Sequence, residues 1–339
     1  MAYDMRQLLE VARMYHVEKL SQQEISEQLG LSRPKVSRVL REAEEQGIIQ
    51  VTIVDPSHDT AELAQRLIEQ FGLKDAYVAD TVGLSGNKAF SQLGKAGADY
   101  LVRLLNPQDV LGVAWGRTTL EIARQMPEWP IREMTVASLI GCPYENALDE
   151  DVFEVARMLA RKLQASLHIL YTPVIVSSPE ARDVYLSDRH TAAAMKQIDY
   201  CNIAISCIGN FWRRGRLYRS GYITPEKFDE LAKKGAVGCI CAHFYDRDGN
   251  PVDEDLDSRA IAIPFEALKD KTWSIGVVMG LEKIDAIMGA LRGKLVNVLI
   301  TESDTAKALL EKAADKSKKL SLKHMTRPSD SARRLGRSG

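Results

Sequence analysis

Near the N-terminus, apolar residues recur at helical spacing through Leu8, Leu9, Ala12, Tyr15 and Leu20, which predicts a first helix. Ser21 with Glu24 three residues later reads as a capping box opening a second helix. Ile25 and Leu29 are expected to face inward there, and Gly30 permits a tight turn. Ser32 is placed to cap a third helix, with Pro34 in its first turn, where a missing N–H does no harm. Val36, Val39 and Leu40 then pack on the first two helices, leaving Ser32, Arg33, Lys35, Ser37, Arg38 and Arg41 facing outward. Gly47 ends the third helix, and residues 48–54 alternate as a strand, either a short wing or a lead into the next domain.

Beyond a boundary marked by Asp55-Pro56-Ser57 the pattern changes. A helix over 60–71 turns Leu63, Leu67 and Phe71 inward; a strand follows over 76–82 and a helix over 89–105. Apolar strands are expected at 110–115, 134–140, 167–171, 203–208, 274–278 and 296–300. This alternation predicts a doubly wound α/β domain, a mostly parallel sheet with helices on both faces. The last stretch carries Lys316, Lys318, Lys319, Lys323, Arg327, Arg333, Arg334 and Arg337 against one acid, Asp330, and reads as a disordered basic tail. The expected domains are therefore 1–55, 56–315 and 316–339.

The 339 residues carry a net charge of −1, so nucleic-acid affinity must come from local clustering. Arg33, Lys35, Arg38 and Arg41 cluster with no acid among them, while Glu24, Glu27, Glu42, Glu44 and Glu45 surround them. A helix, a tight turn and a second helix with one basic face is the arrangement that enters a DNA groove. Arg33 and Lys35 are placed to donate to guanine acceptors, with Ser37, Arg38 and Arg41 on phosphates or sugars. Cys142, Cys201, Cys207, Cys239 and Cys241 read as buried thiols; the lone C-x-C is a poor zinc spacing, and no metal or cofactor is called for. No apolar run reaches membrane-spanning length and no signal-peptide core precedes the first helix, which predicts a cytoplasmic protein.

Ligands of open parallel sheets sit beyond the carboxyl ends of the strands. Gly116-Arg117-Thr118-Thr119 lies between a strand and a helix start, where amides, hydroxyls and a cation suit an anion. Gly141 and Gly209 also follow strands, and Lys283 lies near a helix start after the strand at 274–278. Asp246-Arg247-Asp248-Gly249-Asn250 reads as a hairpin turn whose Asp246 could accept sugar hydroxyls if it borders the pocket.

In series, several stretches resemble the SorC family of bacterial transcriptional regulators. These are 20–40, 111–118 (LGVAWGRT), 221–224 (GYIT), 234–238 (KGAVG), 244–249 (FYDRDG) and 295–301 (LVNVLIT). The resemblance implies an N-terminal (winged) helix-turn-helix domain and an effector domain similar to the sugar-phosphate isomerase and deaminase fold that has lost catalysis. It implies a homotetramer on palindromic operator DNA and a sugar, polyol or sugar-phosphate effector. The family's pocket would fall on Gly116, Arg117, Thr118, Thr119, Gly141, Gly209, Asp246 and Lys283. The chain departs from the family pattern at Cys142-Pro143, at Leu281, and at Phe211-Trp212, which could stack on a sugar face or cover the site. The expectation is a regulator, by default a repressor, of a carbohydrate or polyol operon. The alternative is a sugar-phosphate enzyme with a DNA-binding module, drawing on His243, Asp246 and Glu282 for acid–base work.

Overall fold

The computed structural model describes residues 4–45, 48–49, 60–142 and 152–325. The chain divides into two compact units, Met1–Ser57 and His58–Gly339, two residues from the expected boundary.

The first unit holds α1 (Met5–His16), α2 (Gln22–Leu29) and α3 (Arg33–Glu45). Leu8, Val11, Ala12 and Met14 of α1 pack with Ile25 of α2 and with Val36, Val39, Leu40 and Ala43 of α3. The expected stripe on α1 is out of phase: Leu9 and Tyr15 are exposed, while Leu8, Val11 and Met14 turn inward. Adjacent Leu8 and Leu9 each fit a helical repeat, and α3 selects the face that contains Val11. The capping box is present. The Ser21 N–H donates to the Glu24 carboxylate at 2.8 Å, and the Glu24 N–H donates to the Ser21 hydroxyl at 3.3 Å. These bonds hold the Glu24 carboxyl below its ordinary range. Gly30 takes the left-handed conformation at φ 62°. Ser21→Ala is expected to cost about 1 kcal/mol of local stability, seen as faster hydrogen exchange at the amides of residues 25–29.

Ile48 and Ile49 do not extend as a strand. Their N–H groups fold back to the Ala43 carbonyl at 2.9 and 3.1 Å, closing the end of α3. The rest of the expected wing, and Gly47, lie outside the described residues.

The second unit opens with α4 (Thr60–Phe71), β1 (Asp75–Ala79), α5 (Gly86–Leu104), β2 (Val110–Val113), α6 (Arg117–Gln125) and β3 (Thr135–Ser138). α7 (Val152–Leu163), β4 (Ser166–His168), α8 (Pro179–Ser187), α9 (Arg189–Tyr200) and β5 (Ile203–Cys207) follow. Then come β6 (Gly209–Asn210), α10 (Arg216–Arg219), α11 (Pro225–Lys233), β7 (Gly238–Ile240), β8 (His243–Tyr245) and α12 (Glu254–Arg259). The chain closes with β9 (Trp273–Val277), α13 (Ile284–Arg292), β10 (Val298–Glu302) and α14 (Ser303–Met325).

Seven strands form one parallel sheet in the order β1-β10-β9-β5-β2-β3-β4. Alternate residues serve opposite faces. Ile203 and Ile205 of β5, and Val298 and Ile300 of β10, join α5, α6 and α7 in one apolar cluster. Ala204 and Leu299 join α4, α13 and α14 in the other. Burial on both faces is why these strands are nearly continuous in apolar residues.

A three-stranded antiparallel sheet, β6-β7-β8, was not among the expected strands. Strands of two or three residues are too short to show a period. α14 runs ten residues into the stretch expected to be disordered. Residues 303–325 contain neither Gly nor Pro and are rich in Ala, Leu and Lys, so helix propensity outweighs charge there. Residues 326–339 lie outside the described part.

Candidate functional site

In the first unit, Val36, Val39, Leu40 and Ala43 anchor α3, so the opposite side of the helix faces solvent. Ser37, Arg38 and Arg41 occupy the middle of that outward side and are exposed. Arg33 is exposed and Lys35 half-buried at its two edges, both in the first turn. Ser32 is exposed, and its carbonyl accepts from the Lys35 and Val36 N–H groups at 2.8 and 3.1 Å. Five of the six expected DNA-facing residues are thus exposed, and Lys35 is half-buried.

In the second unit, the chain order runs outward through β2, β3 and β4 to one edge of the sheet. It then returns to place β5 on the other side of β2. Such a reversal leaves a crevice beyond the carboxyl ends of the two strands. A cavity of about 380 Å³ occupies it. Its floor comes from the ends of β2 and β5, and its walls from the start of α6, the segment 208–219, and Glu282-Lys283 after β9.

Gly116 makes the start of α6 possible. A Cβ there would lie 2.2 Å from the Cys207 Sγ and 2.9 Å from its Cβ. The Thr118 hydroxyl sits 2.7 Å from that sulfur and donates to the Val277 carbonyl at 3.0 Å, tying the loop to β5 and β9. First-turn amides of a helix lack intrahelical acceptors and face outward with the positive end of the dipole. Arg117 stands beside them, donating to Asn87 Oδ1 at 2.8 Å with its guanidinium 3.6 Å from the Phe90 ring centroid. Across the cavity, the Gly280 N–H donates to Thr305 Oγ1 at 3.0 Å and to Glu302 Oε1 at 3.3 Å. These bonds pin the loop that carries Lys283.

Gly116, Arg117, Thr118, Gly209 and Lys283 line the cavity as expected; Thr119, Gly141 and Asp246 do not. The Thr119 hydroxyl is spent within its own turn, 2.9 Å from the Ala114 carbonyl and 3.0 Å from that of Gly116. Gly141 is wedged against the 172–173 backbone, where a Cβ would meet the Pro173 and Thr172 carbonyl oxygens at 2.6 and 2.7 Å. Asp246 closes the hairpin turn, accepting from the Asp248 and Asn250 N–H groups at 2.9 Å each. Its chemistry is that of a turn.

Sequence reasoning missed Arg214, Arg216 and Arg219, which line the same cavity. The signal was visible: four arginines fall between positions 213 and 219, directly after a strand and its glycine. With Arg117 and Lys283 they make five cations against one carboxylate, Glu282, in the cavity wall. Trp115 and Trp212 also contribute to the wall.

His243 and Asp246, on which the enzyme alternative leaned, are not together in the cavity. His243 is buried, its Nδ1 2.7 Å from Asp257 Oδ1 and its Nε2 2.9 Å from the Ile263 carbonyl. No disulfide joins the cysteines among the described residues; Cys201 and Cys241 are buried, while Cys142, Cys207 and Cys239 are half-buried. Burial pushes the Cys201 thiol up to about 11 and that of Cys239 to about 12, as befits packed thiols. No described helix is long and apolar enough to cross a membrane.

A ligand crevice in an α/β unit and a basic helix-turn-helix unit together define a ligand-binding DNA-binding regulator. Residues 55–311 match the model of a putative sugar-binding domain, and residues 5–58 match a Crp-like helix-turn-helix domain. The chain is 34% identical over 307 residues to the deoxyribonucleoside regulator of Bacillus subtilis (strain 168), covering 89% of this chain and 96% of that one. It is 30% identical over 312 residues to the sorbitol operon regulator of Klebsiella pneumoniae, covering 91% and 98%. The crystal structure of full-length SorC from Klebsiella pneumoniae superposes with a TM-score of 0.73 at 30% identity, covering 91% of this chain and all of that one. The chain belongs to the SorC family of DNA-binding transcriptional regulators with a sugar-binding domain.

Proposed function

We propose that this protein controls a carbohydrate or polyol catabolic operon as a repressor, released when a phosphorylated sugar or polyol enters the cavity beside β2 and β5. The observation that carries the reading is the wall of that cavity. Five cations and the amide-bearing start of α6 line a half-open cavity with one carboxylate, which favours an anion. The sugar, polyol and deoxyribonucleoside connections of the relatives point the same way.

The protein acts in the cytoplasm, as a homotetramer on palindromic DNA, through Ser32, Arg33, Lys35, Ser37, Arg38 and Arg41. Effector binding shifts the balance between tetramer arrangements that space the recognition helices differently. We read it as a regulator and not an enzyme: of the three acid–base candidates, His243 is spent on Asp257 and the Ile263 carbonyl and Asp246 on its own turn, so Glu282 lines the cavity without either of them.

A thermal-shift screen of sugars, polyols and their phosphates tests the reading. A compound at about 100 times its Kd adds about 2.7 kcal/mol of stability. Phosphate esters are expected to stabilise the protein well beyond their parent sugars. Equal stabilisation by neutral sugars would show that the cations do not read a phosphate.

A further inference from the structure

Arg117 is the residue of the Gly116-Arg117-Thr118-Thr119 turn that brings a full charge, and its side chain is held from a different helix. The first turn of α5 supplies both contacts. Asn87 Oδ1 accepts from the Arg117 guanidinium at 2.8 Å, and the Phe90 ring centroid lies 3.6 Å from that guanidinium. Asn87 and Phe90 stand three positions apart on α5, so they share one side of it. Phe90 lines the cavity together with Arg117, which places the stacked pair in the wall. Two glycines of α5 let the helices come this close. A Cβ on Gly94 would meet the Glu121 carbonyl oxygen at 2.9 Å, and one on Gly97 would meet the Ile122 Cδ1 at 2.4 Å.

Both groups that hold Arg117 are neutral. A guanidinium can only donate, so the atom facing it is the Asn87 carboxamide oxygen, and an amide brings no charge. Phe90 offers the face of a ring, which attracts a cation without neutralising it. Arg124, in the same helix as Arg117, is instead held by the Glu121 carboxylate at 2.8 Å. No carboxylate pairs with Arg117 among the described residues. A cation that is anchored but not compensated is preorganised for an anion. It loses little side-chain freedom on binding and gives up no ion pair.

We propose that Asn87 is a positioning residue of the effector site: it holds the Arg117 guanidinium in the cavity wall and, being an amide and not a carboxylate, leaves the charge of Arg117 to the phosphate. This rests on the sugar-phosphate reading above and extends it to a residue that does not itself line the cavity.

The test is a pair of substitutions in the full chain, read by thermal-shift titration with inorganic phosphate, ribose 5-phosphate, glucose 6-phosphate and glucitol 6-phosphate. Asn87→Asp keeps the acceptor but gives it a charge, so Arg117 becomes half of an ion pair. Asn87→Ala removes the tether alone. For every compound that stabilises wild type, the midpoint should rise about tenfold to a hundredfold in Asn87→Asp, the loss of one charge-assisted hydrogen bond. In Asn87→Ala it should rise less, by about twofold to tenfold, the cost of ordering a freed side chain. The unliganded melting temperature of Asn87→Asp should not fall. A merely structural tie gives the reverse order, since a carboxylate would join the helices at least as well as the amide. With Arg117→Gln already in the chain, Asn87→Ala should cost nothing further. An Asn87→Asp midpoint equal to wild type or below that of Asn87→Ala overturns the role of Asn87 and leaves the sugar-phosphate reading in place. So does an Asn87→Ala cost that is absent in wild type or that persists without Arg117. If none of these compounds stabilises wild type, that reading falls, and the role of Asn87 falls with it.

Discussion

Gly116→Ala is expected to abolish the effector response while operator binding persists. The added Cβ would sit 2.2 Å from the Cys207 Sγ, with the Cys207 Cβ at 2.9 Å behind it. Cys207 cannot simply rotate away, because its sulfur lies 2.7 Å from the Thr118 hydroxyl, which is itself tied to the Val277 carbonyl. The strain therefore falls on the start of α6. Shifting that turn misdirects the amides that would face the anion and carries Arg117 away from Asn87 and Phe90. Hydrogen bonds to a charged group contribute about 1.5–3 kcal/mol each. Loss of one or two of them weakens effector binding by about tenfold to over ten-thousandfold. The unliganded domain loses about 1–3 kcal/mol from overpacking. Adding Cys207→Ala to the same chain removes the nearer obstacle and should recover part of the affinity. A wild-type effector midpoint in Gly116→Ala would show that the anion does not bind at this turn.

What the sequence revealed depended on how many neighbouring residues carried the same message. The caps at Ser21 and Gly30 and the inward Val36, Val39 and Leu40 were legible because turn chemistry and helical period agree there. The main strands were legible because burial on both faces makes them continuous in apolar residues. The phase of α1 was not, since Leu8 and Leu9 each satisfy the helical spacing and only packing against α3 chooses between them. The cavity was half legible. Loops after strands are the expected place for a ligand, which led to Gly116, Arg117, Thr118, Gly209 and Lys283. The same rule over-counted: Gly141 and Asp246 have the residue types of a binding loop but serve backbone packing and a hairpin. Arg214, Arg216 and Arg219 were missed because no local period says that the segment after β6 lines the crevice.

Arg33→Ala and Lys35→Ala should each weaken operator binding strongly and leave effector-induced stabilisation unchanged, because the cavity is built entirely within the second unit. Both side chains lie in the first turn of α3, the part of a recognition helix that reaches base edges. A good base contact is worth about 1–3 kcal/mol of discrimination, and the palindromic operator proposed above would repeat it in the second half-site. Each single substitution therefore costs about 2–6 kcal/mol for a bound pair, roughly thirtyfold to over ten-thousandfold in affinity. Arg38→Ala and Arg41→Ala, in the middle of the outward side, are expected to behave differently. They should weaken binding to all sequences alike and lower the slope of log affinity against log salt by about one for each phosphate left without its cation. Binding across a salt series, to operator and to scrambled duplex, separates the two classes. Relaxed sequence preference in the Arg33 and Lys35 variants supports base readout; an unchanged preference with a shallower salt slope would move both residues to the phosphates. The charge of the module makes the experiment sensitive. Glu24, Glu27, Glu42 and Glu44 offset the basic residues, so little non-specific attraction remains to mask a weakened base readout.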